Sequence, residues 1–212
     1  MDTRADAGAS PLRTLALVCG VALLAGALIS GTWEITRDRI AANEHARLLA
    51  SLSRVAGTAA ESEMTAVEFE LPATDDPHVE QIYAMYTGER FVAWVYVGVA
   101  PVGYNGPINM LVGIRSDGTI IAAHVLQHRE TPGLGDAIET EKSDWITQFA
   151  GASAAAPQNW ALGIDGGTFD AITGATITPR AVVAAISAVL DYHAANELAL
   201  RAAIQVTSGE IQ

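Results

Sequence analysis

Cysteine is almost absent: the 212 residues contain one, Cys19, and it lies inside an apolar run. That excludes a disulfide framework and leaves no thiol for nucleophilic catalysis. Basic residues are scarce as well, 12 Lys and Arg against 24 Asp and Glu, for a formal net charge of −12. Asp2, Asp6, Arg4 and Arg13 cancel within residues 1–33, so the whole negative balance belongs to residues 34–212. A domain this acidic is a poor partner for nucleic acid or an anionic lipid surface. No Gly-x-Gly-x-x-Gly follows a strand pattern and no Gly-Lys-Ser/Thr occurs, which argues against a Rossmann site and a P-loop. Internal repeats are missing. His124 and His128 have no companions at metal-ligand spacing, so a zinc site is not expected. No His, Cys or paired-carboxylate constellation offers itself as acid and base, which argues against an enzyme acting alone on a small molecule.

One long uncharged run is present. After a tail of residues 1–13, twenty residues without a charge, 14–33, carry Val18, Val21, Leu23, Leu24, Leu28 and Ile29. As a helix they extend about 30 Å, the thickness of a bilayer core. Ala25, Gly26 and Ala27 resemble a signal-peptide cleavage site, but the run continues through Leu28, Ile29 and the interfacial position of Trp33, which favours a retained transmembrane helix. Arg4 and Arg13 precede the span whereas Arg37, Arg39 and Arg47 follow it, a bias that leans against an outside C-terminus.

Residues 34–60 read as an amphipathic stalk helix through Ile35, Ile40, His45, Leu48, Leu49 and Leu52. Residues 61–212 suit one domain with one core. Within it, Phe91 to Gly98 alternates in β-branched and aromatic residues, and strands are expected over 108–115 and 119–127, joined at Asp117-Gly118, a strong hairpin signal. Pro132-Gly133 has the order of a type II turn. Ile138, Trp145, Ile146 and Phe149 predict one following helix. The class is α+β, with antiparallel hairpins and flanking helices behind an N-terminal transmembrane helix.

The segment Thr173-Gly174-Ala175-Thr176 stands just ahead of a helix start: Thr178 suits the cap, Pro179 the first helical position, and Ala181 to Leu200 the body. Thr176 thereby reaches the positive end of a helix, where N–H groups and the macrodipole favour a phosphate. A threonine joined to a phosphate suits that position.

Asp170, Thr173, Gly174, Ala175 and Thr176 resemble the Asp-x-x-[Ser/Thr]-Gly-Ala-Thr signature of domains that hold FMN covalently. Gly103 to Ile108, His128 to Gly135 and Lys142 to Ile146 are similar to the G subunits of Rnf-type electron transport complexes within that group; residues 56–84 add little. Thr173 departs from the commoner serine but keeps the hydroxyl. The resemblance implies FMN esterified to Thr176 by a flavin transferase that uses FAD and leaves AMP. Gly174 and Ala175 would keep bulk away, and Asp170 and Thr173 would form the turn or touch the phosphate. Glu130, Thr131, Leu134 and Gly135 would line the ring, Tyr104 could stack on it, and Trp145 belongs to the core. The protein would be an electron carrier rather than an enzyme alone, in a bacterial inner membrane, single-pass with a periplasmic C-terminal domain. It would work with other membrane subunits in an ion-translocating ferredoxin:NAD oxidoreductase, or in the Rsx variant that reduces a redox sensor. Two alternatives stay open: the C subunit of a sodium-pumping NADH:quinone oxidoreductase, and an anchored binding or assembly module without flavin.

Overall fold

The computed structural model describes residues 15, 17–26, 28, 30, 49–57, 64–69, 76–157 and 159–210. The chain divides into two compact units, Met1–Arg47 and Leu48–Gln212. In the first, residues 17–26 are helical and their leucines and valines are exposed, Leu23 to 75%. Among the described residues no helix is long and apolar enough to cross a membrane. Thr14, Ala16, Ala27, Ile29 and 31–33 of the expected span lie outside the described residues, as does most of the expected stalk, 34–48.

The second unit opens with helix α1 over 49–55, which falls within the residues expected as a stalk. Five strands follow: β1 (Met64–Phe69), β2 (Val79–Thr87), β3 (Arg90–Ala100), β4 (Ile108–Ile114) and β5 (Ile120–Gln127). They form one antiparallel meander in the order β1-β2-β3-β4-β5. Helices α2 (Ile177–Ala195) and α3 (Glu197–Glu210) close the chain. β1 and β2 are additions to the three strands expected from the pattern. The β4–β5 hairpin turns at Asp117-Gly118 as expected. Gly118 adopts φ +81, and the Asp117 carboxylate accepts the Thr119 N–H at 2.9 Å.

Both sheet faces are covered, because successive side chains of a strand point to opposite sides. Tyr83, Met85, Ala93, Val95 and Leu111 pack with Leu52, Val55 and Ala56 of the α1 end. On the opposite face Tyr86, Trp94, Tyr96, Met110 and Val112 pack with Val182, Ile186, Val189 and Leu190 of α2. The Tyr96 hydroxyl meets His193 Nδ1 at 2.7 Å in the interior, tying the last turn of α2 to the middle of β3. The start of α2 is thereby aimed past the sheet at the loops that leave β3 and β5.

Three expectations are corrected. The single helix through Ile138 and Phe149 is two short 3₁₀ helices, Gly135–Ile138 and Trp145–Phe149. Ser143 breaks it, its hydroxyl donating to the Ala137 carbonyl at 2.6 Å and accepting the Trp145 N–H at 3.1 Å, a local competitor of helix bonding. Helix α2 begins two residues earlier than the Thr178 cap implied, with Thr176 in the capping position and Pro179 at the third helical residue, where a missing N–H costs no helical bond. It also stops before Leu200, at Asn196, whose side chain donates to the Tyr192 carbonyl at 2.9 Å.

Burial holds the His193 imidazole below its ordinary 6.5, with Glu197 pulling it up and Arg201 pushing it further down. Burial also lowers His124, helped by Arg54 and opposed by Glu141. The unfolded imidazoles therefore bind protons at a higher pH than the folded ones. Stability is lost as pH falls from 6.5 toward the depressed folded values. The urea midpoint is expected to drop between about pH 6.5 and pH 5, and to drop less in H193Q, which keeps an acceptor for Tyr96 but does not titrate; equal slopes in the two proteins would refute the assignment.

Candidate functional site

Three loops meet at the N-terminal end of α2. The first is the β3–β4 connection, where the Gly103 N–H donates to the Gly106 carbonyl at 2.9 Å. The second follows β5. There Leu134 N–H donates to the Thr131 carbonyl at 3.2 Å across Pro132 and Gly133, and Gly133 has φ +79, the type II turn expected from the sequence. The third is the threonine segment, in which Ala175 N–H donates to the Ile172 carbonyl at 3.1 Å and Gly174 sits at φ +82. A Cβ on Gly174 would lie 3.0 Å from Leu134 Cδ2, so glycine serves both the turn and the close approach of these loops.

The Glu130 carboxylate joins the three. It is 4% exposed and accepts the backbone N–H groups of Tyr104 at 3.3 Å and Asn105 at 3.0 Å. It also accepts the hydroxyl of Thr178, itself buried in the first turn of α2. Asn105 Nδ2 donates to Thr131 Oγ1 at 3.2 Å alongside. Behind the turn, His128 Nδ1 accepts the Glu130 N–H at 3.0 Å. Its Nε2 therefore carries the proton and donates to Glu139 at 2.8 Å. The threonine segment is held from below: Trp145 Nε1 donates to the Asp170 carbonyl at 2.6 Å and Asp170 N–H to Gln148 at 2.7 Å. Arg180 grips Asp165 with two bonds of 2.6 and 2.7 Å, holding the first turn of α2 to the preceding loop and keeping the Asp165 carboxyl below its usual range.

Between the loops lies a cleft of about 300 Å³, lined by Tyr104, Glu130, Thr131, Leu134, Gly135, Gly174, Ala175, Thr176, Ile177 and Thr178. Eight of the ten residues singled out from sequence are brought together here. Asp170 and Thr173 are outside the lining, and Asp170 contributes through its backbone. Ile177 and Thr178 were missed as lining residues, because local capping rules placed the helix start at Thr178. Tyr104, Leu134 and Ile177 form an exposed apolar rim, and Glu130 is the one charged residue of the lining. Thr176 is exposed, and although it occupies the capping position its side chain makes no capping bond. A larger cavity of about 520 Å³, lined by Thr87, Arg90 and Arg115 among others, contains none of the expected residues. Among the described residues no group of three His, Cys, Asp or Glu could hold a metal ion.

Residues 103–191 match the family description "FMN-binding domain", and residues 14–55 match "RnfG N-terminal region". The G subunit of the ion-translocating oxidoreductase complex of Cereibacter sphaeroides (strain ATCC 17029) is 39% identical over 199 residues, covering 92% of this chain and 90% of that protein. Its counterpart in Vibrio atlanticus is 41% identical over 182 residues, 82% of this chain and 86% of that one. A solved structure, that of Shewanella oneidensis NqrC, is similar with a TM-score of 0.49 and 18% identity, covering 69% of this chain and 91% of the other. Identity at this level along nearly the full length, with the matched domain enclosing every wall of the cleft, means that the chain belongs to the family of G subunits of ion-translocating oxidoreductase complexes.

Proposed function

We propose that this chain carries one FMN as a phosphoester of Thr176 and serves as a fixed electron relay of an Rnf-type ion-translocating complex. The observation that carries the reading is the state of Thr176: it is exposed at the mouth of the cleft, its side chain unused as a cap, at the end of a helix where, among the described residues, the Ile177 and Thr178 N–H groups have no acceptor. A phosphate on that oxygen receives those N–H groups and the positive end of the 19-residue helix.

The cleft suits the group. Its rim offers apolar side chains to a planar ring, and Gly135 and Gly174 keep the floor open. The lining contains no Lys or Arg, so a dissociable phosphate finds no cation to retain it, and a covalent bond does that work instead. A flavin transferase forms the bond when Thr176 Oγ1 attacks the FMN phosphorus of FAD, loses its proton and expels AMP. The bound flavin supplies the redox chemistry; the chain holds it in place at high local concentration and gives it no acid or base for a soluble substrate. The electrons come from and pass to other membrane subunits.

Anchorage by residues 14–33 in a bacterial inner membrane belongs to the same reading. Its support is the uncharged run and the exposed leucines and valines of the described helical part. The domain stands on the periplasmic side, where a tethered flavin needs no pool to refill it.

Intact mass of protein made in cells with the transferase is expected to exceed the polypeptide by one FMN less one water, and the denatured band to fluoresce under ultraviolet light. T176A should lose both signals and unfold at the same urea concentration, since its side chain caps nothing; bare polypeptide mass in the parent would overturn the reading. A Cβ on Gly135 would come within 2.9 Å of Glu130 Cβ and 3.0 Å of Thr178 Oγ1. G135A is therefore expected to lose about 1–3 kcal/mol of stability and to load flavin poorly, checked by urea melts and the same mass measurement.

A further inference from the structure

We infer that Glu130 is a positioning residue whose fixed, unpaired negative charge holds down the reduction potential of a flavin in the cleft. The inference rests on the proposed function above.

Both Glu130 oxygens are already engaged inside the protein, by two backbone N–H groups and the Thr178 hydroxyl. The carboxylate therefore organises the cleft walls instead of spending its lone pairs on a ligand. Its donors are neutral dipoles. Among the described residues no Lys, Arg or His forms an ion pair with it, and the lining of the cleft holds no cation. The neighbouring Asp136 differs, because Lys142 Nζ lies 3.7 Å from its carboxylate. One uncompensated charge thus remains beneath the cleft, 4% exposed and poorly screened by water. Reduction of a flavin by two electrons with one proton adds one negative charge to the ring. Glu130 opposes that charge, so the oxidised form is favoured over what the same walls would give without it.

The test compares the flavin-loaded parent, E130Q and T178V by intact mass and by potentiometric titration of the flavin absorbance. E130Q keeps the shape and one acceptor oxygen, and the Thr178 hydroxyl can turn to accept from the new amide. Its equilibrium is expected to move at least about tenfold toward reduced flavin, a rise of about 30 mV for a two-electron couple. T178V keeps the charge but removes a donor that draws on it, so its potential is expected to fall below the parent's. A structural role alone would lower stability in both variants and move neither potential in this pattern. Equal potentials in loaded parent and loaded E130Q overturn the inference and leave the flavin reading standing. Should E130Q fail to load, an unchanged or raised potential in T178V overturns it. A parent without flavin overturns the reading and the inference together.

Discussion

The buried carboxylate of Glu130 is the constraint around which the cleft is arranged. Its partners lie 25, 26 and 48 residues away in the chain, on a loop between strands and in the first turn of a helix. Hydrogen bonds to a charged group contribute about 1.5–3 kcal/mol each, more than neutral ones, and leaving such a group unsatisfied in the interior costs more again. The three segments therefore either meet at this carboxylate or leave a buried charge without donors. Glycine at 103 and 135 is part of the same arrangement, since a Cβ at either would come within 3 Å of a neighbouring atom, with Glu130 atoms at 2.8 and 2.9 Å.

The rest of the domain delivers those segments to one place. Alternating side chains cover both faces of the meander, one under α2 and the other under the end of α1, and the loops that leave its strands supply walls of the cleft. The Tyr96–His193 bond and the apolar stripe of α2 fix the direction of that helix across the sheet. Its N-terminus arrives with an exposed threonine that does not cap it. Among the described residues the Thr176 side chain makes no capping bond, and the Ile177 and Thr178 N–H groups at the same helix end have no acceptor.

Local chemistry was readable in advance, and long-range bonding was not. The Asp117-Gly118 hairpin and the Pro132-Gly133 turn follow from φ preferences and side-chain bonds spanning two or three residues, and both are present. Thr178 and Pro179 satisfied every local rule for a helix start, yet the Thr178 hydroxyl turns inward to a carboxylate in a different loop, and the helix begins two residues sooner. The apolar spacing of Ile138, Ile146 and Phe149 identified buried residues correctly. It misjudged the backbone, because Ser143 closes a turn that the periodicity could not register.

From its order of residues alone the chain determined strands β3, β4 and β5 and the turns at Asp117-Gly118 and Pro132-Gly133, where an uncharged run of membrane length lies, and that a threonine would stand close to a helix N-terminus. These properties depend on contacts within a few positions, which hydrophobic period and backbone preference encode directly. The tertiary structure alone decided that Tyr104, Glu130, Leu134 and Thr176 share one cleft, that Asp170 is held behind it through backbone bonds, and that Glu130 is the charged residue of its lining. Those outcomes come from packing α2 on the sheet, which brings together groups tens of residues apart, and no local pattern carries that distance.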